Sequence, residues 1–410
     1  MAMLAFEINK RQPLAEGRPF GVAGPYEQID GTAHFGVDPA HPDNRDIADI
    51  ALTPRDPSGL VRFTADVTIL SPREPEHGNR RLLLDIPNRG NRPPMRFLNN
   101  TPPAVPGAPI DPGDGFLMRR GYTVAWCGWQ HDVPDVAGLM RASVPEAQGC
   151  GGRADSRPAY AELPPQRAGT RHGSATWPLT DSNPLDGSRA QCSLNTVDYR
   201  PLLRAALVRL DRWVSAEEPS PSRYPRLADG TAVLPESTAA IFSGIPGMRF
   251  PAHLPRAGRN DFGPEANRGI ATTLPPLPGK PYPCFVPAID RDGNDVAGIR
   301  LPDLTVPLAT HTGWNLRHPQ IGASGLLLNL LGATVPFPAT KVEREARGDP
   351  RPSIAERYPS REVYLERVRQ AAQHLVEDRY LLAEDLELLV NQAAERFDVF
   401  ARPSAGATPE

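Results

Sequence analysis

Residues 168–177 read AGTRHGSATW and place His172 behind a Gly-Thr turn, ahead of a long amphipathic stretch. An imidazole titrates near neutrality, so a loop histidine is suited to take a proton from a serine or cysteine nucleophile. Chemistry of that kind needs a nucleophile, the base, and an acid that orients the base. The local candidates for the nucleophile are Cys150 in GCGG and Ser156 in GRADSRP, with Asp155 or Glu162 as orienting acids. An activated serine needs a strained, supported turn with the base in reach. GGRADSRPAY offers neither a strand before it nor a helix after it, so the nucleophile stays unknown. Taken as a lone residue, His172 reads as a loop histidine hydrogen-bonded to backbone.

Other polar clusters point away from metal and cofactor chemistry. DRDGND (290–295) alternates Asp290, Asp292 and Asn294 as a calcium loop does. Its glycine is fourth rather than sixth, however, and its twelfth residue is Leu301 rather than glutamate. Asp-Gly between two β-like runs is better read as a hairpin turn. The nine histidines show no HExxH or HxH spacing, and the four cysteines (Cys127, Cys150, Cys192, Cys284) show no CxxC. No metal and no cofactor is expected. HTGWNLRHP (311–319) crowds His311, Trp314, Arg317 and His318 into one loop.

The elements that must hold such groups are legible in part. VRFTADVTIL (61–70) alternates as a half-buried strand. RLLLDIPNRGN (81–91) is a continuous apolar run ending at Pro87 and Gly90, the pattern of a strand buried on both faces. GFLMRRG suits a helix end closed by Gly121, and YTVAWCGWQ (122–130) is a second buried strand; together these make a βαβ unit. In 197–214 the residues Leu202, Leu203, Ala206, Leu207, Leu210, Trp213 and Val214 fall at helical spacing. Residues 215–345 are proline-punctuated, with a hairpin around AIDRDGNDVAGIRLP, and 353–400 read as helices.

Composition narrows the partners. Hydrophobic content of 40% and charged content of 23% describe a globular chain. A net charge of −3 and the absence of a basic stripe argue against nucleic acid. No apolar run could span a bilayer, and the start MAMLAFEINKRQPLAEG lacks a signal-peptide core, so no membrane association and a cytoplasmic location are expected. Lysine occurs only at positions 10, 280 and 341, an imbalance suggestive of codon bias. The 49 prolines beside 35 glycines, interleaved with Trp, Phe, Leu and Val, imply long ordered loops that wrap the fold.

Several stretches, in order along the chain, resemble the alpha/beta hydrolase domain family of large bacterial and fungal proteins with a proline-rich C-terminal extension. They are GPYEQIDGTAHFGVDP, DIPNRG, GFLMRRGYTVAWCGWQHD, AGTRHG, PLLRAALVRLDRWV, VPAIDRDGNDVAGIRLPDLTVPLATHTGWN and GDPRPSIAERY. The resemblance implies that His172 is the catalytic base and that the loop with Asn88, Arg89 and Gly90 is an oxyanion-hole candidate. Taken alone, that loop is a polar exit turn at the carboxyl end of a strand. It implies the Thr-Gly-Trp-Asn loop as a structural element.

One departure stands out. No Gly-x-Ser-x-Gly elbow occurs. Ser beside Gly is found in HGSATW, IFSGIPG and IGASGLL, none with elbow spacing, and Ser243 and Ser324 follow His172 in the wrong order. A hydrolase core needs on the order of 95 residues between the GWQ strand and the histidine loop. Residues 131–171 number only 41 and are proline-broken. The expected fold is therefore α/β and α/β-hydrolase-like: a mostly parallel sheet lacking some central strands, with proline-rich wrapping loops and C-terminal helices. Its segments are 1–80, β-rich; 81–215, a hydrolase-like core truncated between about 131 and 167; and 216–410, the extension. Two functions follow: a weak or inactive carboxylic-ester hydrolase acting on a small-molecule ester, or a non-catalytic small-molecule- or protein-binding remnant. Lost strands would expose sheet edges and favour self-association.

Overall fold

A computed structural model of the chain describes residues 2–47, 49–102, 105, 107–148, 179–183, 187–215 and 223–402. It divides into two compact units, residues 1–164 and 165–410. The division falls inside the 81–215 stretch that the sequence groups as one core.

The first unit is built on a mixed sheet. Strands β1 (Ala2–Pro13), β2 (Tyr26–Val37) and β3 (Val61–Pro72) form an antiparallel meander. Beyond β3 come β5 (Thr123–Cys127), antiparallel to it, and β4 (Leu82–Asp85), parallel to β5. The short β6 (Ala142–Ser143) pairs with β3 beside β5. The expectation of a mostly parallel sheet is corrected: β4–β5 is the one parallel pair among the described strands of this sheet. The consecutive pairs β1–β2 and β2–β3 are antiparallel, and only the β4–β5 crossover, carrying α1 (Pro93–Leu98) and α2 (Phe116–Arg119), returns the chain in the same direction. Gly121, at φ 74°, closes α2 as the sequence implies. The sheet is anchored to this crossover by Tyr26, whose hydroxyl donates to the Tyr122 carbonyl at 3.0 Å.

The burial of β4 also differs from expectation. Val124 and Trp126 of β5 are fully buried, but Leu82, Leu84 and Ile86 are 61%, 55% and 56% exposed. A run of apolar residues looks the same in a central strand and an edge strand. The strand order β1-β2-β3-β5-β4 puts this one at the edge, with one face bare.

The second unit gathers its core around helices near its C-terminal end. In α8 (Arg361–Glu377), Tyr364, Val368, Ala372 and Leu375 recur at four- and three-residue steps. They pack with Leu389, Val390, Ala393 and Phe400 of α9 (Leu386–Phe400) in two adjoining clusters. The side chains of Ser360 and Ser353 cap α8 and α7 (Ile354–Arg357), the latter as a capping box with Glu356. A buried hairpin of β11 (Ala309–Thr312) and β12 (Ala333–Pro336) packs into the same core. Smaller ladders join β7 (Ala232–Val233) to β10 (Val286–Pro287), and β8 (Asn260–Asp261) to β9 (Leu277–Pro278). Helices α4 (Pro235–Ser243), α5 (Pro302–Thr305) and α6 (Lys341–Arg347) complete the unit.

Helix α3 (Arg200–Val214) forms where the periodicity places it, yet it buries a different face. Arg204 and Ala205 are sealed, at 1% exposure each, while Leu210, Trp213 and Val214 remain exposed. The cause is electrostatic: Arg200 is locked to Asp198, and Arg204 lies 3.1 Å from Asp385, each pair largely buried. In the first turns of α1, α3, α4 and α5 a proline stands where no intrahelical donor is needed.

Candidate functional site

The carboxyl ends of β4 and β5 are where a parallel pair offers its ligand-binding edge. After β4 the chain makes a tight turn over Asn88, Arg89, Gly90 and Asn91, closed by the Asn91 N–H donating to the Asn88 carbonyl at 3.0 Å. Both central residues have positive φ, 51° at Arg89 and 79° at Gly90, the signature of a type I′ turn. A left-handed arginine is costly unless its surroundings hold it. Here they do. The Arg89 N–H donates to Gln130 Oε1 at 2.8 Å, and its guanidinium reaches the Asp132 carboxylate at 2.7 Å and the Asp132 carbonyl at 3.1 Å. The Trp129 indole N–H donates to the Pro87 carbonyl at 2.7 Å.

DIPNRG and GWQHD therefore brace one another across the end of the parallel pair. Sequence reasoning missed Trp129, Gln130 and Asp132 in this role, although both stretches are among those that carry the resemblance. Gly90 is needed twice over, for its φ and for space. A Cβ there would lie 2.9 Å from Met140 N, Leu139 Cβ and Val133 Cγ1. Gly90→Ala is expected to cost about 1–3 kcal/mol through overpacking and strain, read as a lowered midpoint in urea denaturation.

A polar strip crosses the sheet beneath the turn. Arg92 donates to the Gly138 carbonyl and to Thr68 Oγ1, at 3.1 and 3.2 Å, and stacks over Trp126 with its guanidinium carbon 5.8 Å from the ring centroid. Thr68 in turn donates to Asp30 Oδ1 at 2.8 Å. Burial pulls the Arg92 guanidinium below its ordinary value, opposed by the charges of Asp30 and Asp66. At the end of β4, burial pushes the Asp85 carboxyl above the usual carboxylate range, opposed by the nearby Trp126 indole. That indole does not close a hydrogen bond, and Asp85 Oδ2 is buried without a partner. Burial also raises the Cys127 thiol, which makes it a poor nucleophile at neutral pH. The hydrogen bond from Arg89 lowers Asp132.

The remaining candidates do not join this constellation. His172, Cys150, Asp155, Ser156 and Glu162 lie outside the described residues. Ser243 bonds to the Ala239 carbonyl on α4. Ser324 and His318 line one open cavity of about 410 Å³, but His318 Nδ1 accepts from the Gln320 N–H. Among the described residues no serine or cysteine side chain shares a hydrogen bond with a histidine. The nearest imitation of a nucleophile–base pair is Thr334 Oγ1, 3.1 Å from His311 Nδ1. These residues are 1% and 6% exposed, and Thr334 Oγ1 also accepts the Thr196 N–H, so the pair braces a hairpin and no substrate can reach it.

The Thr-Gly-Trp-Asn loop is structural, as read. Trp314 packs edge-on against Phe242 and Phe250, and buried Asn315 bonds to the carbonyls of Cys192 and Gly332. DRDGND is a turn, its Asp290 carboxylate accepting the N–H groups of Asp292 and Asn294. Among the described residues no group of three or more His, Cys, Asp or Glu is placed to hold a metal ion. No described helix is long and apolar enough to cross a membrane.

A mixed sheet with a parallel pair, its crossover helices, and a tight braced turn at the carboxyl ends define an α/β protein. Residues 166–391 match the alpha/beta hydrolase domain family, and the chain belongs to that family. The matched span begins just before His172 and takes in the ion-paired helix α3, the buried hairpin, α8 and the first turns of α9. No curated protein and no solved structure matches the chain.

Proposed function

We propose that this chain is a carboxylic-ester hydrolase by descent whose activity on small-molecule esters is weak or absent. The observation that carries the reading is the missing nucleophile: no Gly-x-Ser-x-Gly occurs in the chain, and 41 residues separate Gln130 from His172. In this reading His172 keeps the place of the general base, and the turn of Asn88, Arg89 and Gly90 descends from an oxyanion-binding loop. Its Arg89 N–H is engaged by Gln130, which removes one donor from that task. In this reading those 41 residues are too few to supply the block of sheet that should bear the nucleophile and the acid. A base without a nucleophile cannot run an acyl-enzyme cycle. The same absence favours, as the second reading, a non-catalytic scaffold that binds a small molecule or a protein in the cytoplasm.

A fluorophosphonate probe followed by peptide mass spectrometry tests the proposal. No serine should be labelled in the folded chain, and hydrolysis of p-nitrophenyl acetate should not exceed that of His172→Ala. A labelled serine whose modification disappears in His172→Ala would overturn it and establish a rebuilt active site.

A further inference from the structure

The loop after the Thr-Gly-Trp-Asn stretch is held in place by side chains rather than by regular structure. Arg317 Nε and Nη2 donate to the carbonyls of Gly322 and Ile321 at 3.0 and 2.9 Å. The Gln191 carboxamide donates to the carbonyls of Arg317 and Ser324 at 2.9 and 2.6 Å, and Arg189 bonds to Gln320. This loop shares its cavity of about 410 Å³ with Gly247, Met248 and Arg249, a segment rooted by Met248 in the cluster of Phe242 and Ile245. The polar lining is rich in donors: Arg249, His318, Ser324 and Gln191 take part, and no aspartate or glutamate among the described residues does. Arg249 is exposed and has no ion-pair or hydrogen-bond partner among the described residues, and the same holds for the Ser324 hydroxyl. His318 Nδ1 accepts the Gln320 N–H at 3.2 Å, so the neutral ring carries its proton on Nε2 as a donor. Gln191 spends both amide protons on the loop carbonyls and keeps only its oxygen, an acceptor for a protonated oxygen. Arg317, bonded to carbonyls, adds a positive charge that no carboxylate among the described residues neutralises.

We propose that this cavity binds a small organic oxyanion, a carboxylate or a phosphate monoester, by its charged end. Arg249 takes the oxyanion through paired N–H groups of its planar guanidinium, a geometry that matches carboxylate and phosphate alike. His318 Nε2 and Ser324 Oγ donate to the oxygens that Arg249 leaves, and Met248 and Pro319 receive the apolar part of the ligand. The loop is already fixed by Arg317 and Gln191, so little ordering is surrendered on binding. The site uses neither His172 nor the Asn88–Gly90 turn, and it stands whether or not the chain hydrolyses esters.

Isothermal titration calorimetry of the full chain with phenyl phosphate, benzoate and benzyl alcohol provides the test. One or both oxyanions should bind and the neutral alcohol should not, and the tighter of the two identifies the head group the site prefers. Added salt should weaken the binding. Arg249→Gln should weaken it by about tenfold or more, through loss of the charge-assisted contact. Arg249→Lys, which keeps the charge without the planar pair of donors, should recover part of the affinity. Neither variant should shift the melting temperature, because Arg249 holds no other described residue in place. Failure of both oxyanions to bind would overturn the proposal, and so would equal binding of the alcohol or an affinity that Arg249→Gln leaves unchanged.

Discussion

Replacing Arg351 by methionine should destabilise the second unit by about 3–5 kcal/mol, the usual consequence of stripping one partner from a buried ion pair. Arg351 and Asp349 have side chains only 2% exposed each, joined by two hydrogen bonds of 2.9 and 2.6 Å. The same guanidinium donates to Thr310 Oγ1 at 2.8 Å and to the Val335 carbonyl at 3.0 Å, so it clips together both strands of the β11–β12 hairpin. Methionine fills much of the volume but leaves the Asp349 carboxylate sealed without its cation. Scanning calorimetry should show the melting temperature of this unit falling on the order of 10 °C. Removing the charge as well, in Arg351→Met/Asp349→Leu, should restore much of the loss, because two desolvated ions are then replaced by apolar packing. A single variant that melts with the wild type would show that the pair contributes nothing.

The second large effect is one of pH. His311 is buried in the same hairpin beside Thr334, Asp303 and Arg396, and burial lowers its pKa to about 4. The Asp303 charge works against that shift and the Arg396 charge with it. An unfolded histidine binds its proton near pH 6.5. Between pH 6.5 and pH 4 the unfolded chain therefore holds a proton that the folded chain does not, and acidification favours unfolding. The stabilisation is complete above pH 6.5 and is lost progressively toward pH 4, by about 3 kcal/mol over the window. Exposed carboxylates such as Glu356 and Asp398, whose values are lowered by their arginine and serine partners, lose their contribution at lower pH than the start of this window. Denaturant unfolding at pH 7.0 and 5.0 should thus separate wild type from His311→Gln. The wild type should lose stability, and the variant should show a flatter dependence whatever its absolute stability. Equal slopes would remove His311 from the acid response.

How much of this was legible depends on which force holds each element. β3, β5, α8 and α9 are held by apolar burial, and their periodicity is visible in Val61 and Ala65, in Val124 and Trp126, or in Tyr364, Val368, Ala372 and Leu375. β11 is invisible by the same criterion, because Thr310, His311 and Thr312 are polar residues buried through bonds to Asp292, Asn294, Thr334 and Trp314. α3 shows the middle case: its leucines announce a helix, while its arginines decide which side faces inward. The turn at Asn88–Gly90 can be read from Pro87 and Gly90. Its brace cannot, since Arg89 meets Gln130 and Asp132 some forty residues away, and no local pattern encodes that meeting. Where the chain forms an edge, as in β4, composition alone cannot say which side is left open.

The prolines that open α1, α3, α4 and α5 bear on the unfolded chain as much as on the folded one. Each holds one φ near its helical value before any helix exists, so fewer conformations are surrendered on folding. Substituting alanine at such a site typically raises the entropy of the unfolded chain by an amount worth about 0.4–1 kcal/mol, apart from the packing lost where the ring is buried, as at Pro201, Pro235 and Pro302. A chain that spends long stretches outside regular structure has few ladder and helix hydrogen bonds with which to offset that entropy. With 49 prolines, it offsets part of the cost in advance by restricting the disordered state itself.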